Sequence, residues 1–178
     1  TLAVIAEELG RALAPLPVSS SIYLAAPCVL HAGSEAQRRE WLPGLASGER
    51  IATLAAAEGL VGVADTPAHA ARVAGGRLSG VKQPVPDGTL AHWAMVTARD
   101  EAGAFGLYIV DLAGPGVARE ALACLDPTRP VARIAVTARR IAFVRLGATS
   151  TLYLPPPICA NPAAQPRGSL PPFAMCES

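Results

Sequence analysis

Apolar residues recur at helical spacing only in the first fifty positions. Leu2, Ile5, Leu9 and Leu13 fall three or four residues apart and make one stripe, while Glu7 and Arg11 form an i,i+4 pair on another face. Pro15 and Pro17 cannot donate into a helical ladder, so the pattern predicts that this helix ends at them. Ser19-Ser20-Ser21 then offers N-caps for a second apolar helix, roughly 22–31, with Pro27 kinking it. Gly33 suits a helix end. Ser34-Glu35-Ala36-Gln37 reads as a capping box, in which the Ser and Gln side chains each satisfy an orphan backbone donor. The third helix it opens is expected to stop near Trp41-Leu42-Pro43-Gly44.

From Ile51 the period changes. Short segments rich in small and β-branched residues alternate with Gly, Pro and Asp. They predict strands at 51–57, 70–73, 77–85, 92–99, 104–111, 117–122, 133–136 and 140–144, broken by turn signals such as Gly75-Gly76, Asp87-Gly88 and Gly114-Pro115-Gly116. Helices followed by strands, without alternation, indicate an α+β fold: short N-terminal helices and then an antiparallel β-sandwich or barrel. The expected organisation is a helical segment 1–50, a β domain 51–147 and a tail 148–178. That tail carries seven prolines and no apolar periodicity, and it is expected to be disordered.

Composition narrows the function. Fifteen basic residues against fourteen acidic ones, with no run of either sign, argue against a nucleic-acid surface. No apolar stretch reaches the roughly 18 residues that span a bilayer. The first residues lack a basic leader and an initiator Met, so the chain is expected to begin inside a longer protein, with the cytoplasm as its default location. Cys28, Cys124, Cys159 and Cys176 include no C-x-x-C pair and read as buried or incidental thiols. His31, His69 and His92 read as surface or satisfied histidines, and Trp41 and Trp93 as packing residues. Glu58 reads as a solvated or structural carboxylate at a strand end. Asp126 and Arg129 read as a pair stabilising a local turn. Lys82 is expected to lay its stem on the β surface and keep its charge in water.

Three stretches, in this order, resemble the acyl-CoA dehydrogenase family. The first is Glu7-Glu8-Leu9-Gly10-Arg11-Ala12-Leu13-Ala14-Pro15, like the end of a helix in the family's N-terminal domain. The second runs from Gly33-Ser34-Glu35-Ala36-Gln37 through Leu42-Pro43 to Leu45-Ala46-Ser47-Gly48-Glu49 and leads into the first strand. The third, Leu78-Ser79-Gly80-Val81-Lys82, is similar to the L-x-G-x-K strand of the middle domain. Leu125 to Arg129 and Arg139 to Gly147 resemble the strand pairs that close that domain. The likeness spans residues 1–147.

That resemblance implies a subunit of three parts: helical, β, and a helical bundle carrying the catalytic carboxylate. It implies FAD between the β domain and the bundle. The implied reaction is α,β-dehydrogenation of an acyl-CoA thioester, in fatty-acid β-oxidation or sterol side-chain oxidation, and the implied state is a homo- or hetero-oligomer. The implied flavin-binding positions are Leu54, Ala56 and Ala57 on one segment and Pro84, Val85 and Pro86 on another. Here the chain departs from the family. Ala57 stands where the family has Thr, and Pro84-Val85-Pro86 stands where it has W-I-T, so two hydroxyls, an aromatic ring and backbone donors are missing. No catalytic residue is assigned, because the resemblance places the base in the bundle, beyond residue 147.

Three readings follow. The chain is a fragment of an FAD-dependent acyl-CoA dehydrogenase, a non-catalytic partner subunit of a heteromeric one, or a free-standing β module with another ligand. The abrupt change at residue 148 is read as a frame shift or truncation, with a natural linker as the alternative.

Overall fold

The computed structural model describes residues 2–59 and 70–144. The tail and His69 lie outside them. Helix α1 (Leu2–Arg11) stops short of the prolines. Leu13 takes a left-handed φ of 47°, and the Ala14 amide returns to the Leu9 carbonyl at 3.0 Å. A residue that precedes proline resists the helical conformation, so the chain turns out of α1 before Pro15. The apolar stripe on α1 faces outward: Leu2 is 54% exposed and Leu13 75%, and no α1 residue is buried.

The three serines do not cap a helix. They open a π-helical segment, Ser19–Ala25, whose preceding residue Val18 is itself helical and makes no side-chain cap. Their hydroxyls are therefore free for other partners, and Ser20 and Ser21 are buried against the sheet. Pro27 falls in the first turn of α2 (Ala26–Ala32), which continues directly from the π-helical segment. The capping box at Ser34 forms as expected, with Gln37 N donating to Ser34 Oγ at 3.3 Å and Ser34 N donating to Gln37 Oε1 at 2.9 Å. Helix α3 (Glu35–Ser47) runs through Pro43 instead of stopping there. It ends where Gly48 takes a left-handed φ of 78°, a conformation without penalty only for glycine.

Eight strands follow among the described residues: β1 (Ala52–Ala55), β2 (Arg72–Ala74), β3 (Arg77–Pro86), β4 (Trp93–Arg99), β5 (Phe105–Asp111), β6 (Val117–Leu122), β7 (Val131–Arg140) and β8 (Ala142–Val144). They form one curled sheet in the order β6-β7-β3-β2-β4-β5-β8, with β1 also paired to β4. The expected wholly antiparallel sheet is corrected at β4, which has parallel neighbours. β1 runs parallel to it, with Ala52 opposite Trp93 and Ala55 opposite Val96, and β2 meets it in parallel at Arg72 and Arg99. β1 and β4 start from one place, where His92 N donates to Ile51 O, and the β2–β3 hairpin separates them in the chain. The segments expected at 133–136 and 140–144 prove to be one ten-residue strand and a short successor.

The core has two parts because β4 is buried on both faces. Ala94, Val96 and Ala98 join Leu78, Val85, Val110, Ile134 and Val136 inside the curl. Trp93 and Met95 face the helices and pack with Val29, Leu45, Leu107 and Ile109. Gly80 marks a close approach: a Cβ there would sit 2.6 Å from the Ala71 side chain.

Candidate functional site

The end of β1 and the end of β3 lie side by side. Gln83 N donates to Ala57 O, and Gly59 N donates to Gln83 O, both at 2.9 Å. The segment Leu54–Gly59 and the proline seam Pro84–Pro86 thus flank one line across the sheet. Their side chains diverge. Leu54 packs toward the helices, and Val85 is fully buried in the interior core. Ala57, Pro84 and Pro86 keep partial or full exposure. The Gln83–Pro84 peptide is cis.

Behind the first segment sits a buried ion pair. Lys82 is 1% exposed, and its Nζ lies 2.5 Å from Glu58 Oε1, 3.1 Å from Thr97 Oγ1 and 3.3 Å from Ala56 O. Glu58 also accepts the Ala70 amide on Oε2 at 2.5 Å and the Ala71 amide on Oε1 at 3.2 Å. Burial raises the Glu58 carboxyl. The Lys82 ammonium and those amides outweigh it, so its pKa falls below the ordinary 4.5. Burial dominates for Lys82 and lowers it below 10.5, with Glu58 only partly countering. The expectation that Lys82 holds its charge in water is therefore overturned. Sequence parity carried the signal: Lys82 is in phase with Leu78 along β3, and both are buried.

The seam is fixed differently. Thr53 Oγ1 donates to Pro86 O at 2.6 Å, and Ser20 Oγ donates to Asp87 Oδ2 at 2.6 Å. Asp87 is only 7% exposed and holds a left-handed φ of 51°. Sequence reading missed Ser20, Thr53, Thr97 and Asp87. Small polar residues between apolar ones look like ordinary turn or strand residues until a distant partner is known.

The other candidates are placed plainly. Asp126 holds its turn through Thr128, whose N and Oγ1 both donate to Asp126 Oδ1, at 2.9 and 2.6 Å. Those bonds, with a smaller contribution from the Arg129 charge, lower the Asp126 carboxyl, and the Arg129 amide donates to Asp126 O at 3.3 Å, so the two residues share the turn without a direct ion pair among the described contacts. His92 is exposed, with Nδ1 accepting the Ile51 amide at 2.9 Å. Trp41 and Trp93 meet edge to face at 4.8 Å, as packing residues do. Cys28 is buried and its thiol is pushed up to about 11, so it is inert as a nucleophile, while Cys124 is exposed. Among the described residues no cluster of His, Cys, Asp and Glu could hold a metal, and no helix is long and apolar enough to cross a membrane.

A flavin edge needs donors from these two segments, and here only backbone amides of the first segment could supply them. Ala57, Pro84 and Pro86 carry no hydroxyl, and the two prolines carry no N–H. The carbonyls of Ala56, Ala57, Gln83 and Pro86 are all engaged within the protein.

Known proteins give this geometry a context. The model of the acyl-CoA dehydrogenase N-terminal domain matches residues 1–49. Acyl-CoA dehydrogenase FadE27 of Mycobacterium tuberculosis is 36% identical over 116 residues, covering 65% of this chain and 30% of that protein. Among solved structures, the Tcur3481-Tcur3483 steroid ACAD is similar at 32% identity and a TM-score of 0.66, covering 78% of this chain and 38% of that one. The ChsE4-ChsE5 complex of Mycobacterium tuberculosis is similar at 27% and 0.66, covering 77% and 37%. Glutaryl-CoA dehydrogenase from Mycobacterium smegmatis, in complex with FADH2, is similar at 27% and 0.64, covering 73% and 36%. The chain spans about a third of the length of these relatives. In sequence and in fold, it is similar to acyl-CoA dehydrogenases, and its first 49 residues match that family's N-terminal domain.

Proposed function

We propose that the chain serves α,β-dehydrogenation of an acyl-CoA thioester, supplying the end of a helical domain (residues 1–50) and a β domain (51–147) to a larger oligomeric subunit. The observation that carries this reading is the placement of Leu54–Gly59 beside Pro84–Pro86, joined through Gln83, at the positions that the family resemblance assigns to its cofactor edge. In this reaction a bound FAD would supply the hydride acceptor, and a base would remove the α-proton. Leu54–Gly59 and Pro84–Pro86 supply neither a base in the bundle position nor a hydroxyl donor; their part is a rigid wall of the site beside which the thioester would be held. The similar steroid ACAD favours a bulky, sterol-derived acyl group over a short straight chain.

A second reading is favoured by the proline seam. A wall without side-chain donors for flavin suits the non-catalytic member of a heteromeric dehydrogenase, and one similar structure is a complex of two differently named chains. The product of the complete gene, purified alone and with candidate partner subunits, separates these readings. Flavin absorbance and acyl-CoA-dependent reduction of an electron acceptor by the lone subunit would support the first. Both appearing only in a mixed complex would support the second. No reduction in any pairing, across straight-chain and steroid thioesters, refutes the dehydrogenase role altogether.

A further inference from the structure

Proline gives the seam a fixed φ but no N–H, so neighbouring groups must hold it in place. The interior side does this with Val85, which is fully buried. From the helical side the main packing is apolar: Ala25, Cys28 and Val29 against Ala52, Trp93 and Met95. Such packing is non-directional and leaves a helix free to slide by fractions of an ångström. Hydroxyl contacts do not. Ser20 Oγ donates to Asp87 Oδ2 over 2.6 Å, with Pro17 O at 3.0 Å as the alternative acceptor. One residue on, Ser21 Oγ is 3.1 Å from Ala52 N and 3.2 Å from Ala52 O. The π-helical segment therefore grips β1 and the seam with adjacent side chains.

Asp87 is built to receive that grip. Its left-handed backbone turns the chain directly after Pro86. Its N–H donates to Pro130 O at 2.8 Å, and its carbonyl accepts Leu90 N at 2.9 Å and Ala91 N at 3.0 Å. The turn is thus anchored to the rest of the sheet on all sides. Among the described residues no cation lies within ion-pair distance of the Asp87 carboxylate, so Ser20 is the partner that fixes it.

We propose that Ser20 and Asp87 are positioning residues through which the helical layer sets the Pro84–Pro86 wall for the acyl thioester. The inference rests on the dehydrogenase reading for its substrate and on geometry alone for the joint.

The test uses the complete gene product, in whichever assembly is active, with the variants Ser20→Ala, Ser20→Thr, Asp87→Ala and Asp87→Asn. Thr keeps the hydroxyl, and Asn keeps both an acceptor and tolerance of positive φ. Ser20→Ala and Asp87→Ala should raise KM for the acyl-CoA by about two- to ten-fold, the value of one hydrogen bond, with kcat little changed. They should also speed hydrogen exchange at the Gly88, Leu90 and Ala91 amides. Ser20→Thr and Asp87→Asn should restore both readings. Unchanged KM in a well-folded Ser20→Ala protein overturns the proposal, as does a failure of both conservative variants to rescue. If the wild type turns over no thioester, the dehydrogenase reading fails; unchanged exchange in Ser20→Ala would then overturn the joint as well. Should Ser20→Ala not fold, Asp87→Ala against Asp87→Asn carries the same comparison.

Discussion

The two segments that flank the candidate site are held by opposite means. Residues 56–58 are fixed by charge: an ammonium and a carboxylate, both nearly excluded from water, tie the strand end to β3, β4 and the start of β2. The proline seam is fixed without an ion pair, by ring geometry, the buried Val85 and hydroxyl hydrogen bonds. A charged clamp is strong but intolerant of losing one member, because the survivor is left buried and unpaired. A clamp of single hydrogen bonds is weaker per contact, and each contact can be lost separately. The two sides of one site should therefore fail differently.

Lys82→Met tests the charged side most severely. It should cost about 3–5 kcal/mol in urea unfolding, and adding Glu58→Gln should recover part of that loss. A cost below about 1 kcal/mol, typical of exposed pairs, would show that the clamp does not hold the strand end. Acid should reproduce a fraction of the effect. Glu58 has a lowered folded pKa, so its contribution is complete above the unfolded value near 4.5 and is lost as pH falls through the folded one. Unfolding followed between neutral pH and that window should show a declining limb that Glu58→Gln flattens; an identical slope in the variant would remove Glu58 from the account. On the seam side Asp87→Val should cost about 2–3 kcal/mol, combining left-handed strain with a lost hydrogen bond, whereas Asp87→Asn should cost under about 1 kcal/mol. Equal losses would mean that backbone strain plays no part. The smallest effect belongs to Thr53→Val, about 1 kcal/mol, since one carbonyl loses its donor and the shape is kept. A larger drop would mean that the seam is more cooperative than its separate contacts suggest.

Much of the architecture was legible in residue order. The capping box at Ser34 and the strands beginning at Arg77 and Val117 were readable because local chemistry alone decides them. The parallel pairing of β1 was not, since the alternation of a strand says which face is buried and not which neighbour it meets. Pro43 misled because proline's penalty is local, and a helix closed by Gly48 and a docked Leu45 outlasts one missing donor. The site was half legible. Family likeness pointed to Leu54–Ala57 and Pro84–Pro86, but Lys82 and Glu58 are 24 residues apart, and nothing nearby in the chain announces their contact.

The clasp between Ser21 and β1 bears on solubility. A strand's free edge is a row of unpaired donors and acceptors, ready to recruit another chain. Among the described residues the backbone ladder between the β1 segment and β3 lies near Glu58. At the other end of β1 the Ser21 hydroxyl takes both the amide and the carbonyl of Ala52, as a neighbouring strand would. One side chain thus does the work of a cross-strand partner and closes a place where a second copy of the protein could start an aggregate.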